Sequence, residues 1–415
     1  IGFLFVISIL IGLMAGLYPA LVLSSFKPVV VLKGKFTTGS KGSLLRKGLV
    51  VAQFSISIAL IIGTIIVYSQ MQFMRSQDLG FNKDQTMLLI TGSDPATKAF
   101  KQSVASIPGV KSVSLSSSAP SLDNNSAYSE VENKNGDLQV GTLALYDVDF
   151  DFIPQYQMKL LAGRNFSKDF PSDSSHSLIV NEATLKMFGY SSPDQIIGKR
   201  YKQWEREGKI IGVIKNFHTT SLQENIEPLS MRLNTGAQDL ASINITAANM
   251  PKTIAAIESK WKEVIPGRPF SFTFIDESFN KQYVSEDRFG KLFFNFSILA
   301  ILISCLGLLG LASYSTLQRT KEIGVRKVLG ASVSNITGLL SKDFIKLVLI
   351  ALVIASPIAY WGMHKWLQGF AYRINIQWWV FLVAGFIALF IALFTVSFQA
   401  IKAAVANPVK SLRSE

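Results

Sequence analysis

The chain has 415 residues, of which 49% are hydrophobic, and a formal net charge of +13. Its mean hydropathy of +0.32 excludes a disordered chain and does not suit an ordinary soluble domain. A single cysteine, Cys305, excludes a disulfide framework and a thiol metal cluster, and reads as a small polarisable packing residue.

The apolar residues gather in five runs, over 2–23, 49–68, 293–317, 344–366 and 378–401. Each reaches the roughly 20 residues that a helix needs to cross a bilayer. The expected spans are 1–23, 49–70, 292–317 and two within 344–401. Lys346, His364 and Lys365 lie near the ends of the fourth run, where they can snorkel to the interfaces. The first run has no basic segment before it and is too long for a signal peptide, so it reads as a span of a truncated or processed chain.

Charge supplies the orientation. The linker 24–48 carries Lys27, Lys33, Lys35, Lys41, Arg46 and Lys47 and no acid; 318–343 has five bases against two acids, and 401–415 three against one. The long segment 71–291 has 24 bases against 25 acids. Positive loops stay in the cytoplasm. The expectation is an inner-membrane protein with 71–291 as an extracytoplasmic domain and the linker, the loop 318–343 and the tail 402–415 in the cytoplasm. This pattern is a topology signal and gives no support to nucleic-acid binding.

Residues 11–35 and 391–415 align at an offset of 380, pairing Tyr18 with Phe398, Pro28 with Pro408, Val29 with Val409 and Leu32 with Leu412. The repeat makes 1–23 the last span of a preceding unit and 44–415 one complete unit, with a second permease unit on the same polypeptide or as a dimer.

Within the insert, 86–92, 95–107 and 110–116 read strand, helix, strand, as do 241–246, 251–264 and 270–275. Proline opens each helix and Pro-Gly follows it. Each trio favours a parallel pair joined by a crossover helix. Between them, 120–240 holds short strands broken by turns, such as 177–181 and 209–214, with a helix over 182–188 ending at Gly189. Helical stalks over 69–79 and 277–291 are expected to continue directly into the spans; ordinary linkers are the alternative. The fold class is thus a polytopic α-helical membrane protein with a large α+β extracytoplasmic domain of two β-α-β units plus an inserted lobe.

No catalytic or metal constellation is legible. There is no H-E-x-x-H or G-x-S-x-G, and His176, His218 and His364 are scattered. Gly34 to Lys41 only approaches a phosphate loop and follows a membrane span instead of a strand. Pro357 is expected to kink the fourth span, and Gly307 and Gly310 to thin the third for close packing or, alternatively, gating.

Arg319-Thr320-Lys321-Glu322-Ile323-Gly324-Val325-Arg326-Lys327, followed by Gly330-Ala331-Ser332, lies between two spans. Ile323, Val325 and Val328 offer an apolar face, the four bases offer charge to an acidic groove, and Glu322 can support Arg326. Gly324 and Gly330 allow close approach or helix termination. This string resembles the cytoplasmic loop of MacB/FtsX-type ABC transporter permeases. The layout of one span, a large insert and three spans is similar to theirs, as is the closing run Ala403–Arg413. The resemblance implies a coupling helix docked on a cytoplasmic ABC ATPase dimer. The chain itself would then be no enzyme and bind no cofactor, ATP being used by that partner. It also implies mechanotransmission to the MacB-like periplasmic core domain, which would export or extract an amphiphile, peptide or lipoprotein with a periplasmic adaptor. The alternative is a non-transporting transducer acting on an effector such as a cell-wall hydrolase.

Overall fold

The computed structural model describes residues 40–405 and, before them, residues 2, 6, 9 and 13. Most of the expected span 1–23, of the linker 24–48, of the 11–35 half of the repeat and of the tail 402–415 lies outside the described residues. The chain divides into two compact units, one of Ile1–Ala59, Ile298–Ser356 and Val383–Glu415, the other of Leu60–Ser297 and Pro357–Leu382.

In chain order the elements are α1 (Ser40–Ser76), β1 (Thr86–Ile90), α2 (Thr97–Ala105), β2 (Val110–Ser116), β3 (Asn125–Glu132), β4 (Leu138–Val148), α3 (Phe152–Gln155) and β5 (Leu160–Gly163). There follow α4 (Asp173–His176), β6 (Ser177–Asn181), α5 (Glu182–Met187), β7 (Arg200–Gln203), β8 (Arg206–Ile214), β9 (Leu229–Leu233) and β10 (Leu240–Ile245). The chain closes with α6 (Met250–Val264), β11 (Phe272–Phe274), α7 (Ile275–Lys281), α8 (Val284–Gln318), α9 (Thr320–Val328), α10 (Val333–Leu367) and α11 (Trp379–Val405). Among the described residues, α1, α8, α10 and α11 are long and apolar enough to cross a membrane.

The strand–helix–strand trios are interleaved. The sheet runs β11-β1-β10-β2, and β10 is antiparallel to both β1 and β2. Strands β1 and β2 are therefore parallel but not neighbours, and β1 likewise separates β10 from β11. The expected adjacent parallel pairs are replaced by two split units, each taking its middle strand from the other. The two-residue period of the strands gives this sheet two faces. Met87, Ile243 and Val113 are in register across it, as are Leu89, Ala241 and Leu115. These six, with Phe100 and Val104 of α2 and Ile257 and Trp261 of α6, form one buried core. Thr86, Asn244 and Ser112 line up on the opposite, polar face.

The inserted lobe is a closed ring. The order β4-β3-β7-β8-β6-β9 ends with β9 pairing back on β4 in parallel. Closure gives every ring strand a partner on each side, though β3 meets β7 only at Glu130 and Val131. Val131, Leu143, Leu178, Val180, Ile210 and Val213 fill it. Asn181 caps α5, its Oδ1 accepting from Thr184 N at 3.1 Å, and Gly189 at φ +81° follows the helix. One bridge, Ser116 to Val148, joins the ring to the interleaved sheet.

The second stalk is broken where a continuous helix was expected over 277–291. α7 stops at Lys281 and α8 starts at Val284. Between them Tyr283 is buried, and its hydroxyl accepts from Leu222 N at 3.1 Å, so tertiary anchoring overrides helical continuity. Gln282 Nε2 donates to Ser121 O at 3.1 Å, and Gln223 Nε2 to Glu286 Oε1 at 2.5 Å. The sheet domain thus grips the first turn of α8. Arg75, near the end of α1, pairs with Asp287 at 2.7 Å.

Candidate coupling helix and its membrane frame

The string Arg319–Lys327 folds into α9 and its N-cap. Glu322 sits in the first turn and Arg326 and Lys327 in the last, the arrangement that complements the helix dipole. Glu322 and Arg326 pair at 2.8 Å across one turn. Arg319, the N-cap residue, pairs with Asp343 of α10 at 3.0 Å. At the other end Ala331 N donates to Arg326 O and Gly330 N to Lys327 O, with Gly330 at φ +89°. That six-to-one and five-to-two pair is the glycine-dependent stop that satisfies the last carbonyls. Asn335 N then donates to Ser332 Oγ at 3.2 Å, capping α10. Only 329–332 separate the two helices.

The apolar face differs from the sequence expectation. Ile323 and Gly324 are buried, whereas Val325, Val328 and Leu329 are 50%, 67% and 80% exposed. Positions 325, 328 and 329 share one side of a helix, and Glu322 and Arg326 flank them, each about half exposed. Ile323 therefore anchors the helix inward, and the open apolar patch includes Leu329, which the sequence reading missed. Gly324 lies inside the helix and does not terminate it; Gly330 does.

The frame around α9 is held by small residues and short polar ties. Ala351 and Ala355 of α10 and Ala384, Ala388 and Ala392 of α11 are buried at four-residue spacing, the spacing that brings membrane helices close. A Cβ on Gly385 of α11 would meet Leu352 of α10 at 2.7 Å. Ser57 and Ser304 hydroxyls are 3.0 Å apart, Gln399 Nε2 donates to Ser313 Oγ at 2.6 Å, and Thr395 Oγ1 to Cys305 Sγ at 3.5 Å. Arg46 lies over the Tyr314 ring at 3.9 Å. A Cβ on Gly307 would overlap the side chain of Gln53 on α1. Gly310, three residues on, is exposed, with nothing within 4 Å of a Cβ. α10 runs unbroken through Pro357, whose missing N–H leaves the Val353 carbonyl without its intrahelical donor.

Among the described residues, several helices long and apolar enough to cross a membrane, with a sheet domain inserted between the first and second, make up a polytopic membrane protein carrying a large α/β domain. Residues 294–408 match the family model described as FtsX-like permease C-terminal. Relatives include the macrolide export ATP-binding/permease protein MacB of Aggregatibacter actinomycetemcomitans, 24% identical over 219 residues, covering 50% of this chain and 33% of that protein. The protein of the same name from Neisseria gonorrhoeae is 25% identical over 231 residues, covering 53% of this chain and 34% of its own length. The matched stretches thus span about a third of these curated relatives. Among solved structures, the periplasmic region of MacB from Actinobacillus actinomycetemcomitans aligns at a TM-score of 0.37 with 14% identity, covering 52% of this chain and 98% of that one.

Proposed function

We propose that this chain is the membrane subunit of an ABC-type complex, with α9 as the coupling helix seated on a cytoplasmic ATPase dimer. The observation that carries the reading is the patch of Val325, Val328 and Leu329, held open on a short helix between two spans. Apolar side chains on a connecting helix stay exposed at a cost of about 1–2 kcal/mol each unless a partner covers them. The flanking Glu322–Arg326 pair would set register. The chain's part is mechanical: α8 is 35 residues long, roughly 50 Å, beginning at the grip of the sheet domain and ending one residue before α9. ATP binding and hydrolysis belong to the partner. The sheet domain lies in the periplasm, and an amphiphile, peptide or lipoprotein is moved on that side of the inner membrane.

The test is co-purification with a candidate ATPase subunit and measurement of stimulated ATP hydrolysis. The double variant Val328→Asp/Leu329→Asp is expected to lower stimulation at least tenfold while the chain's melting temperature stays unchanged. Equal stimulation by variant and parent would remove α9 from the interface.

A further inference from the structure

We propose that the interleaved sheet carries a binding site for an extended, polar peptide segment, in a cavity of about 620 Å³ beside β2. The cavity lies outside the coupling helix and outside the membrane frame. It is bounded by α2 through Lys101 and Ala105, by the α3 segment through Asp151, Pro154, Gln155 and Gln157, and by β2 through 111–113.

Three observations mark it as a built site. Gln155 is 8% exposed; its Nε2 donates to Ser242 O at 2.9 Å, while its Oε1 has no hydrogen-bond partner. A buried acceptor left unmade is costly, and a donor from a ligand would complete it. Two non-glycine residues that line the cavity, Gln85 and Gln157, sit at φ +53° and +52°. Left-handed backbone at such residues persists where the surroundings impose it, and it gathers at ligand sites. Finally, β2 has a strand on its outer side only at Ser116. Leu115 turns its N–H to Asp149 Oδ2 and its C=O to Asp149 N, away from β10. By the two-residue period, Val113 turns its own N–H and C=O the same way, on the stretch of β2 that lines the cavity.

The lining selects the ligand. Asn82, Gln85, Gln155 and Gln157 are amides, matched to peptide groups because an amide can donate and accept; Asn244 gives both Nδ2 hydrogens to Asp84 O and Thr86 Oγ1 and adds an acceptor. The charges balance: Lys101 and Lys111 face Asp84 and Asp151. Lys101 is already committed to Asp149 and Asp151, whereas Lys111 and the Asp84 carboxylate have no ion-pair partner among the described residues. A purely anionic or cationic ligand gains nothing from that set. No aromatic side chain lines the cavity, so a sugar ring finds no stacking platform. An open strand edge flanked by amides, with a cation and an anion that form no ion pair among the described residues, fits a peptide strand bearing both charge signs.

The test uses the full chain in lipid nanodiscs and hydrogen exchange read by mass spectrometry. The probe is an equimolar pool of capped octapeptides composed of Ser, Thr, Lys and Glu, with chitotetraose in parallel. The pool is expected to slow exchange about tenfold across 110–116 and 154–157, and chitotetraose to leave it unchanged. Ala105→Trp fills the cavity from an exposed helical position and is expected to abolish the slowing without altering the melting temperature. No slowing at millimolar pool, equal slowing in Ala105→Trp, or slowing by chitotetraose alone would each overturn the proposal.

Discussion

Glu132 shows how a single carboxylate in the ring depends on its neighbours. Arg200 and Lys199 hold its carboxyl down to about 2, from an ordinary 4.5, through hydrogen bonds at 2.9 and 3.0 Å. A depressed carboxyl stabilises the fold above pH 4.5, and the contribution is lost as pH falls toward 2. Melting temperatures measured between pH 6 and about 2.5 are therefore expected to fall more steeply for the parent chain than for Glu132→Gln. Asp173 is fully buried: burial pushes its carboxyl up, but Arg164, Ser177 and the Ser167 N–H together pull it below the usual range. Asp173→Ala leaves the Ser177 hydroxyl and the Ser167 N–H without their acceptor and is expected to cost about 3 kcal/mol in chemical denaturation. Trp261 is fully buried edge-on to Phe100 at 5.1 Å, and Trp261→Ala is expected to cost roughly 3–5 kcal/mol by the same measurement. None of these partners could be read from the sequence. Arg164–Asp173 is local, but Glu132 with Arg200 and Trp261 with Phe100 join residues far apart in the chain, and only the sheet order brings them together.

At the scale of elements, local chemistry was a good guide wherever the element decides its own ends. The strands over 110–116 and 177–181 were legible as short strand patterns bounded by turns, and α5 from its Gly189 stop; the Asn181 cap emerged only in the structure. The stalk break at 282–283 was not, because nothing in that sequence disfavours helix; Tyr283 leaves it to reach Leu222. Gly307 and Gly310 of α8 divide for a similar reason. Of these two, Gly307 meets a neighbour, Gln53, and Gly310 does not. Gly307→Val is expected to cost about 1–3 kcal/mol of thermal stability in detergent, and Gly310→Val about 0.5 or less. Equal losses would place a second surface against Gly310. Sequence named all the residues of the α9 string, yet its outward face turned on Leu329, one residue beyond the motif.

For the molecule as a whole, the spans and the inserted domain follow from hydropathy and charge, whereas the interleaved sheet and the closed ring do not. Periodicity fixes which face of a strand is buried and is silent on which strand lies beside it. The basic loops predict orientation. In a Cys305→Ser background, single cysteines at Val328 and Lys134 are expected to react with a membrane-impermeant thiol reagent from opposite sides, Val328 from the cytoplasm. Labelling of both from one side would overturn the topology on which the mechanical reading stands.

The position of β10 between β1 and β2 also sets an order of events during synthesis. The third strand of that trio, residues 240–245, is made about 125 residues after the second, 110–116, by subtraction of their end points. Until it emerges, β1 and β2 have no strand to bridge them, and their apolar faces wait uncovered. The closed ring, made entirely of residues between those strands, can finish first and keep the nascent termini close. A chain released after residue 233 and ending before residue 240 would therefore leave a folded ring beside two unpaired strands, the form of this chain most exposed to proteases and aggregation.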